Sequence, residues 1–199
     1  MATLVATLVL ATFGWRYAGG RSPRWLDVRI QTAVDGAVSS RGMPWHLVLD
    51  VGEPAVAVVV VLALAAVALL LRRPRLAVLA VVGPGITGVV TTGLKPLVGR
   101  LHEGALAYPS GHTGFATAFG LVVALMVISL VGPRLLGAGL ILVVGAVIAG
   151  GTMALALITQ QWHYPTDTLG GFATAVAIVP GVALLIDRIA ERRRAPQGP

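Results

Sequence analysis

From Leu135 to Thr159 the chain runs without one charged side chain, and Pro54–Leu71, Leu76–Leu94, Thr113–Gly132 and Thr168–Ile186 are equally bare. The hydrocarbon core of a bilayer is about 30 Å thick, so a helix needs roughly 20 apolar residues to cross it. Each of these runs is long enough for that, so they predict transmembrane helices. A sixth segment, Ala2–Trp15 extended to Ala18, is short, but Arg16 can snorkel to the surface and Trp15 and Tyr17 suit an interface. It lacks a basic leading region, so an uncleaved helix is expected rather than a signal peptide.

The expected fold class is all-α: an integral membrane bundle of six transmembrane helices in one domain, residues 1–199. The spans are expected at about 2–18, 54–71, 76–94, 113–132, 135–159 and 168–186, with residues 191–199 a flexible basic C-terminal tail. Composition agrees. The 199 residues are 56% hydrophobic and only 12% charged, where a soluble domain is nearer a quarter charged. The net charge of +7 comes without a Lys/Arg-rich motif interleaved with aromatics, so no nucleic-acid partner is expected. It reads instead as basic loops anchoring a membrane protein. Cysteine is absent, which excludes disulfides and thiolate metal sites.

Six spans bring both ends of the chain to one side. That side also receives the Arg72–Arg75 and Arg134 turns and the Arg188–Arg194 end, basic residues crowded beside helix ends. The positive-inside rule then makes the termini cytoplasmic, in the cell (plasma) membrane. The outward side receives the Arg16–Glu53 connection, the Lys95–His112 loop and the Gln160–Asp167 loop. In the first of these, Trp25, Leu26, Val28, Ile30 and Val34 predict a short helix lying at the interface.

Three polar clusters fall on this outward side. L-K-P-L-V-G-R-L-H-E supplies Lys95, Arg100, His102 and Glu103; Y-P-S-G-H supplies Ser110, Gly111 and His112; Q-W-H-Y-P-T-D supplies His163 and Asp167. Each alone reads as ordinary helix-end chemistry: interfacial anchors, a serine N-cap, a proline-started helix with an acid in its first turn. Together they put two cations, imidazoles and a carboxylate on one membrane face. Cations with the N–H groups of a helix start make an anion cradle suited to phosphate. An imidazole can attack phosphorus, a carboxylate on its far nitrogen can hold its tautomer, and a second imidazole can serve as acid and base. His163, Asp167 and His112 fill those three roles, and Lys95, Arg100, Ser110, Gly111 and His102 are the expected phosphate-binding residues. A transition-metal site could also use His, His and Asp, but Lys95 and Arg100 would repel a cation, so no metal and no cofactor is expected. A channel would carry charge within a span, and none does.

The order Lys…Arg, Pro-Ser-Gly-His, His-x-x-x-Asp resembles the type 2 phosphatidic acid phosphatase (PAP2) superfamily of membrane lipid phosphatases and related soluble enzymes. Pro109-Ser110-Gly111-His112 matches that family's second motif without a gap. His163 and Asp167 match the end of its third motif, and Lys95 the start of its first. The resemblance implies a PAP2-type helix bundle, a phosphohistidine on His163, and a lipid phosphate as partner beside the bilayer. Polyprenyl (di)phosphate, phosphatidic acid and phosphatidylglycerol phosphate all fit that chemistry, and a homo-oligomer stays open. Two departures stand out. Counting from Lys95 puts His102 and Glu103 where the family has Arg-Pro, with Arg100 two residues earlier as a substitute. Ala156 and Leu157 stand where the third motif has Ser-Arg. A protein that binds or transfers lipid phosphate without efficient hydrolysis is the alternative these departures imply.

Overall fold

In the computed structural model, which describes residues 1–38 and 44–194, eight helices and one two-stranded hairpin account for most of the described residues. The helices are α1 (Ala2–Tyr17), α2 (Trp25–Ala37), α3 (Trp45–Val51), α4 (Pro54–Leu70), α5 (Pro74–Val98), α6 (Gly111–Val131), α7 (Leu135–Thr159) and α8 (Pro165–Arg194). The strands, β1 (Leu101–His102) and β2 (Ala105–Leu106), pair antiparallel between α5 and α6. Proline opens α4, α5 and α8, where its missing N–H would have no partner anyway. Gly99 and Gly132 close α5 and α6 in the left-handed conformation, at φ of 63° and 61°.

Helices α5, α6, α7 and α8 are each long and apolar enough to cross a membrane. A fifth crossing arises if α3 and α4, bent by 70° at Gly52–Glu53, act as one broken span. The expected segment 2–18 becomes a 16-residue helix, α1, about 24 Å long at 1.5 Å per residue, short of the hydrocarbon thickness. Polar groups extend the spans beyond the bare runs. Lys95 belongs to the last turn of α5, not to the loop after it, and His112 and Asp167 to the first turns of α6 and α8. The expected tail is corrected in part: α8 continues through residues 191–194, and 195–199 lie outside the described residues.

Leu79, Ala80, Leu121, Val122, Ala175 and Val179 build the main core among α5, α6 and α8. Gly120 of α6 and Gly145 of α7 lie so close that a Cβ on Gly145 would stand 2.9 Å from the Ala124 methyl. Small residues permit such an approach where apolar solvent supplies no drive for association. Leu62 of α4, Leu140 and Val143 of α7, and Leu184 of α8 face outward, as lipid contact requires. The polar connections gather at one end. Gly19 N–H donates to the Val98 carbonyl and Leu101 N–H to the Gly20 carbonyl, each at 2.8 Å, tying the end of α1 to the α5–hairpin junction.

Candidate active site

Two adjacent glycines let α8 reach the Pro-Ser-Gly-His turn. A Cβ on Gly170 would lie 2.7 Å from Tyr108 Cζ, and one on Gly171 would stand 3.0 Å from Gly114 N and strike the Ser110 carbonyl. With that gap closed, Ser110 N–H donates to the Asp167 carbonyl at 2.9 Å. Ser110, fully buried, caps α6 by accepting from Thr113 N–H, and Gly111 opens the helix. The Ser110 hydroxyl oxygen also accepts from the Thr113 hydroxyl at 3.2 Å.

His163 lies in the turn between α7 and α8, with Nδ1 3.5 Å from Asp167 Oδ2. That is longer than a hydrogen bond, and Nδ1 is buried without a hydrogen-bond partner among the described residues; catalytic pairs are often this long before substrate tightens them. The Asp167 carboxylate is itself anchored: Oδ2 accepts from Tyr164 N–H at 3.2 Å and Oδ1 from Arg100 Nη1 at 2.7 Å. His163 keeps 12% of its side-chain surface and opens on a cavity of about 240 Å³ that it shares with Gln31, His102, Gln161 and Tyr164. With Nδ1 turned to Asp167, Nε2 is the nitrogen left to meet a substrate.

His112 is acted on electrostatically by His163, Glu53 and Lys95, and Lys95 in turn by Asp167. These groups therefore come together from the α3–α4 break, α5, α6, the α7–α8 turn and the start of α8. The His112 Nε2 lies 3.6 Å from Glu53 Oε1, an acid that sequence reasoning passed over because it stands at a helix start with no motif around it. Gly52 packs directly on the ring: an added Cβ would strike Cδ2 and lie 2.8 Å from Cγ. The φ of −83° at Gly52 suits any residue, so the demand here is for space alone. Gly52→Ala is expected to lower thermal stability modestly, because the ring must move aside, while lowering turnover about tenfold or more, by the scale of a misplaced catalytic group. Paired melting curves and rates check this; full activity in Gly52→Ala would show that His112 need not stay where it is.

Lys95, Gly111 and His112 stand at the polar end of a groove of about 480 Å³ between α4 and α5, whose walls include Val58, Leu62 and Val89. Among the described residues, Lys95 is the one permanent cation of the candidate set without a carboxylate ion pair. His102 packs edge-on against Tyr164 at 4.4 Å. Burial pushes its pKa down, against the opposing pull of Glu103, so it is a weak stand-in for a guanidinium near neutral pH.

Arg100 corrects the sequence expectation. Its side chain is fully buried, with Nη1 on Asp167 and Thr166 and Nη2 on Asp27 Oδ2 at 2.6 Å. The guanidinium carbon lies 4.4 Å from the Tyr17 ring centre and 4.5 Å from that of Tyr164. With both Nη atoms engaged and two tyrosine rings against it, its Nη fork is occupied and, fully buried, it has no open path to a phosphate, although Nε is left without a partner among the described residues. Asp27 was the missed partner, although Asp27, Ile30, Gln31 and Val34 recur at the spacing of one helical face.

Leu157 is also fully buried, packed with Trp45, Leu49, Ala116 and Met153 where α3 folds over α7. An arginine there would bury a charge in an apolar cluster. Leu157→Arg is thus expected to lower stability by about 3 kcal/mol or more rather than restore a clamp. Denaturation in detergent measures this; an unchanged midpoint would mean the guanidinium finds a polar exit.

The PAP2 superfamily model matches residues 56–190, well over half of the chain. The chain belongs to the PAP2 superfamily. Among solved structures, a transmembrane PAP2-type phosphatidylglycerolphosphate phosphatase from Bacillus subtilis superposes with a TM-score of 0.69, covering 98% of this chain and 99% of its own. At 15% identity this is a likeness of fold. No curated protein matches the sequence significantly. The protein is an integral membrane member of the superfamily with a membrane-phosphatase fold.

Proposed function

We propose that this PAP2 protein hydrolyses a lipid phosphomonoester or diphosphate through a phosphohistidine on His163, without a metal ion. The observation that carries the reading is that His112 and Lys95 stand at the polar end of an apolar groove, while His163, beside Asp167, lies near enough to act electrostatically on His112. The groove suits a hydrocarbon chain, which is why a lipid substrate is favoured over a soluble phosphate; polyprenyl (di)phosphate, phosphatidic acid and phosphatidylglycerol phosphate are the candidates.

In the first step His163 Nε2 attacks phosphorus, the bond to the leaving oxygen breaks, and His112 gives that oxygen its proton. The Asp167 carboxylate stabilises the charge that develops on the His163 ring. In the second step His112 takes a proton from water, whose oxygen attacks phosphorus and breaks the P–N bond. Phosphate leaves, and both histidines return to their starting state. Lys95 and the Gly111 end of α6 draw the phosphoryl oxygens in. In the membrane, α1 is the proposed sixth span, its length completed by Arg16 at the interface. The termini then face the cytoplasm and the site faces outward, in the cell membrane.

Phosphate release from the three candidate lipids by detergent-solubilised protein, with and without EDTA, tests the reading. Release that survives EDTA on at least one lipid is expected; loss of activity on chelation with return on zinc addition would replace the metal-free mechanism. His112→Ala should slow alkyl phosphates at least about tenfold more than activated aryl phosphates, whose leaving groups need no proton. Equal losses would remove His112 as the acid. A second reading, a protein that binds or transfers lipid phosphate with little hydrolysis, is favoured by the depleted charge: Arg100 is engaged by carboxylates and Leu157 is buried. Saturable lipid-phosphate binding without release would select it.

A further inference from the structure

The two carboxylates on Arg100 are unequal in role. Asp167 belongs to the histidine; Asp27 comes from α2, which carries none of the motif residues. All of its accepting positions are engaged. Oδ1 accepts from Thr166 N–H at 3.0 Å and from the Thr166 hydroxyl at 2.6 Å, while Oδ2 accepts from Arg24 N–H at 3.0 Å and from Arg100. Thr166 immediately precedes Asp167 in the first turn of α8, so Asp27 grips the backbone that carries the orienting acid. A charge argument adds to the geometric one. Arg100 alone against Asp167 would cancel most of the charge that Asp167 offers His163. Two carboxylates sharing one buried guanidinium leave a net negative charge beside the imidazole, in surroundings where water screens it little.

We propose that Asp27 is a positioning residue for the reaction: it occupies half of the Arg100 guanidinium, so that Asp167 keeps its charge for His163, and it fixes the start of α8. The inference rests on the proposed role of His163. The ionisable groups around that imidazole are Asp167 on α8, His112 on α6 and His102 on the hairpin. Lys95 faces Asp167 from α5, Glu53 faces His112 from the start of α4, and Arg100 and Asp27 lie behind Asp167.

The test needs a readout that a purely structural residue would not move. Diethyl pyrocarbonate reacts with neutral imidazole, and peptide mass spectrometry of the full-length protein in detergent reports its reaction at His163 against pH. In Asp27→Asn, Arg100 falls wholly on Asp167 and the protonated ring loses support. The neutral ring then persists to lower pH, and the midpoint should fall by roughly one unit, the low end of what a neighbouring charge produces. In the double variant Asp27→Asn/Arg100→Gln one carboxylate remains with no guanidinium, the same net charge as wild type, and the midpoint should return most of the way. Turnover in Asp27→Asn should drop about tenfold, matching one unit, with KM within about twofold. A folded Asp27→Asn with an unmoved or raised midpoint overturns the proposal. Should Asp27→Asn fail to fold, the double variant decides: a midpoint near wild type supports the charge balance, and one displaced by a full unit refutes it. Wild-type protein that releases no phosphate would sink the hydrolase reading alone, since the His163 midpoints are read without turnover.

Discussion

His163→Ala should abolish turnover, by at least about 10⁴-fold on the scale of lost nucleophiles in covalent catalysis, and leave the protein folded. The second half of that expectation comes from the hydrogen-bond pattern. Removing the imidazole frees no buried charge, because Asp167 keeps Arg100 on one oxygen and the Tyr164 N–H on the other. The histidine is partly exposed toward a cavity, so its loss is expected to cost no more than about 1 kcal/mol. Rates and melting curves on the same preparation separate the effects. Near-wild-type turnover in His163→Ala would remove the mechanism.

Arg100→Ala should fail in the opposite way. Deleting the guanidinium leaves Asp27 and Asp167 buried, facing each other without their shared partner, which typically costs about 3–5 kcal/mol. For a chain of this size that corresponds to a melting point lower by roughly 6–20 °C, and activity would fall because the protein does. Arg100→Lys should recover only part, since a point charge can neither bridge two carboxylates nor stack between Tyr17 and Tyr164. Were Arg100→Ala as stable as wild type, with only its KM for lipid raised, the guanidinium would be a phosphate ligand after all.

The contrast between these variants shows which features could be read from the chain alone. The long helices announce themselves through uncharged runs, because the bilayer imposes one length and one composition. Ser110, Gly111, His112, His163 and Asp167 are legible because they sit at fixed spacing beside helix starts. What stayed hidden depends on contacts distant in sequence. Asp27 and Arg100 meet across 73 positions, and the helical face that carries Asp27 does not by itself name the partner it meets. Arg100 looked available for substrate only because its second carboxylate lay on a helix read as interfacial. Glu53 and Gly52 matter through a 70° bend between α3 and α4, which brings them onto His112 and which no periodicity encodes. Leu157 looked like a missing arginine, whereas α3 folds over it and makes it core.

The most direct measurement of the central claim is the covalent intermediate itself. Protein mixed with a ³²P-labelled lipid phosphate, quenched in alkali within the first turnovers and digested, should carry label on the peptide containing His163. The label should be lost on mild acid treatment, as a P–N bond requires, and absent in His163→Ala. Label on the peptide containing His112, or rapid phosphate release with no labelled histidine at any quench time, would contradict the account.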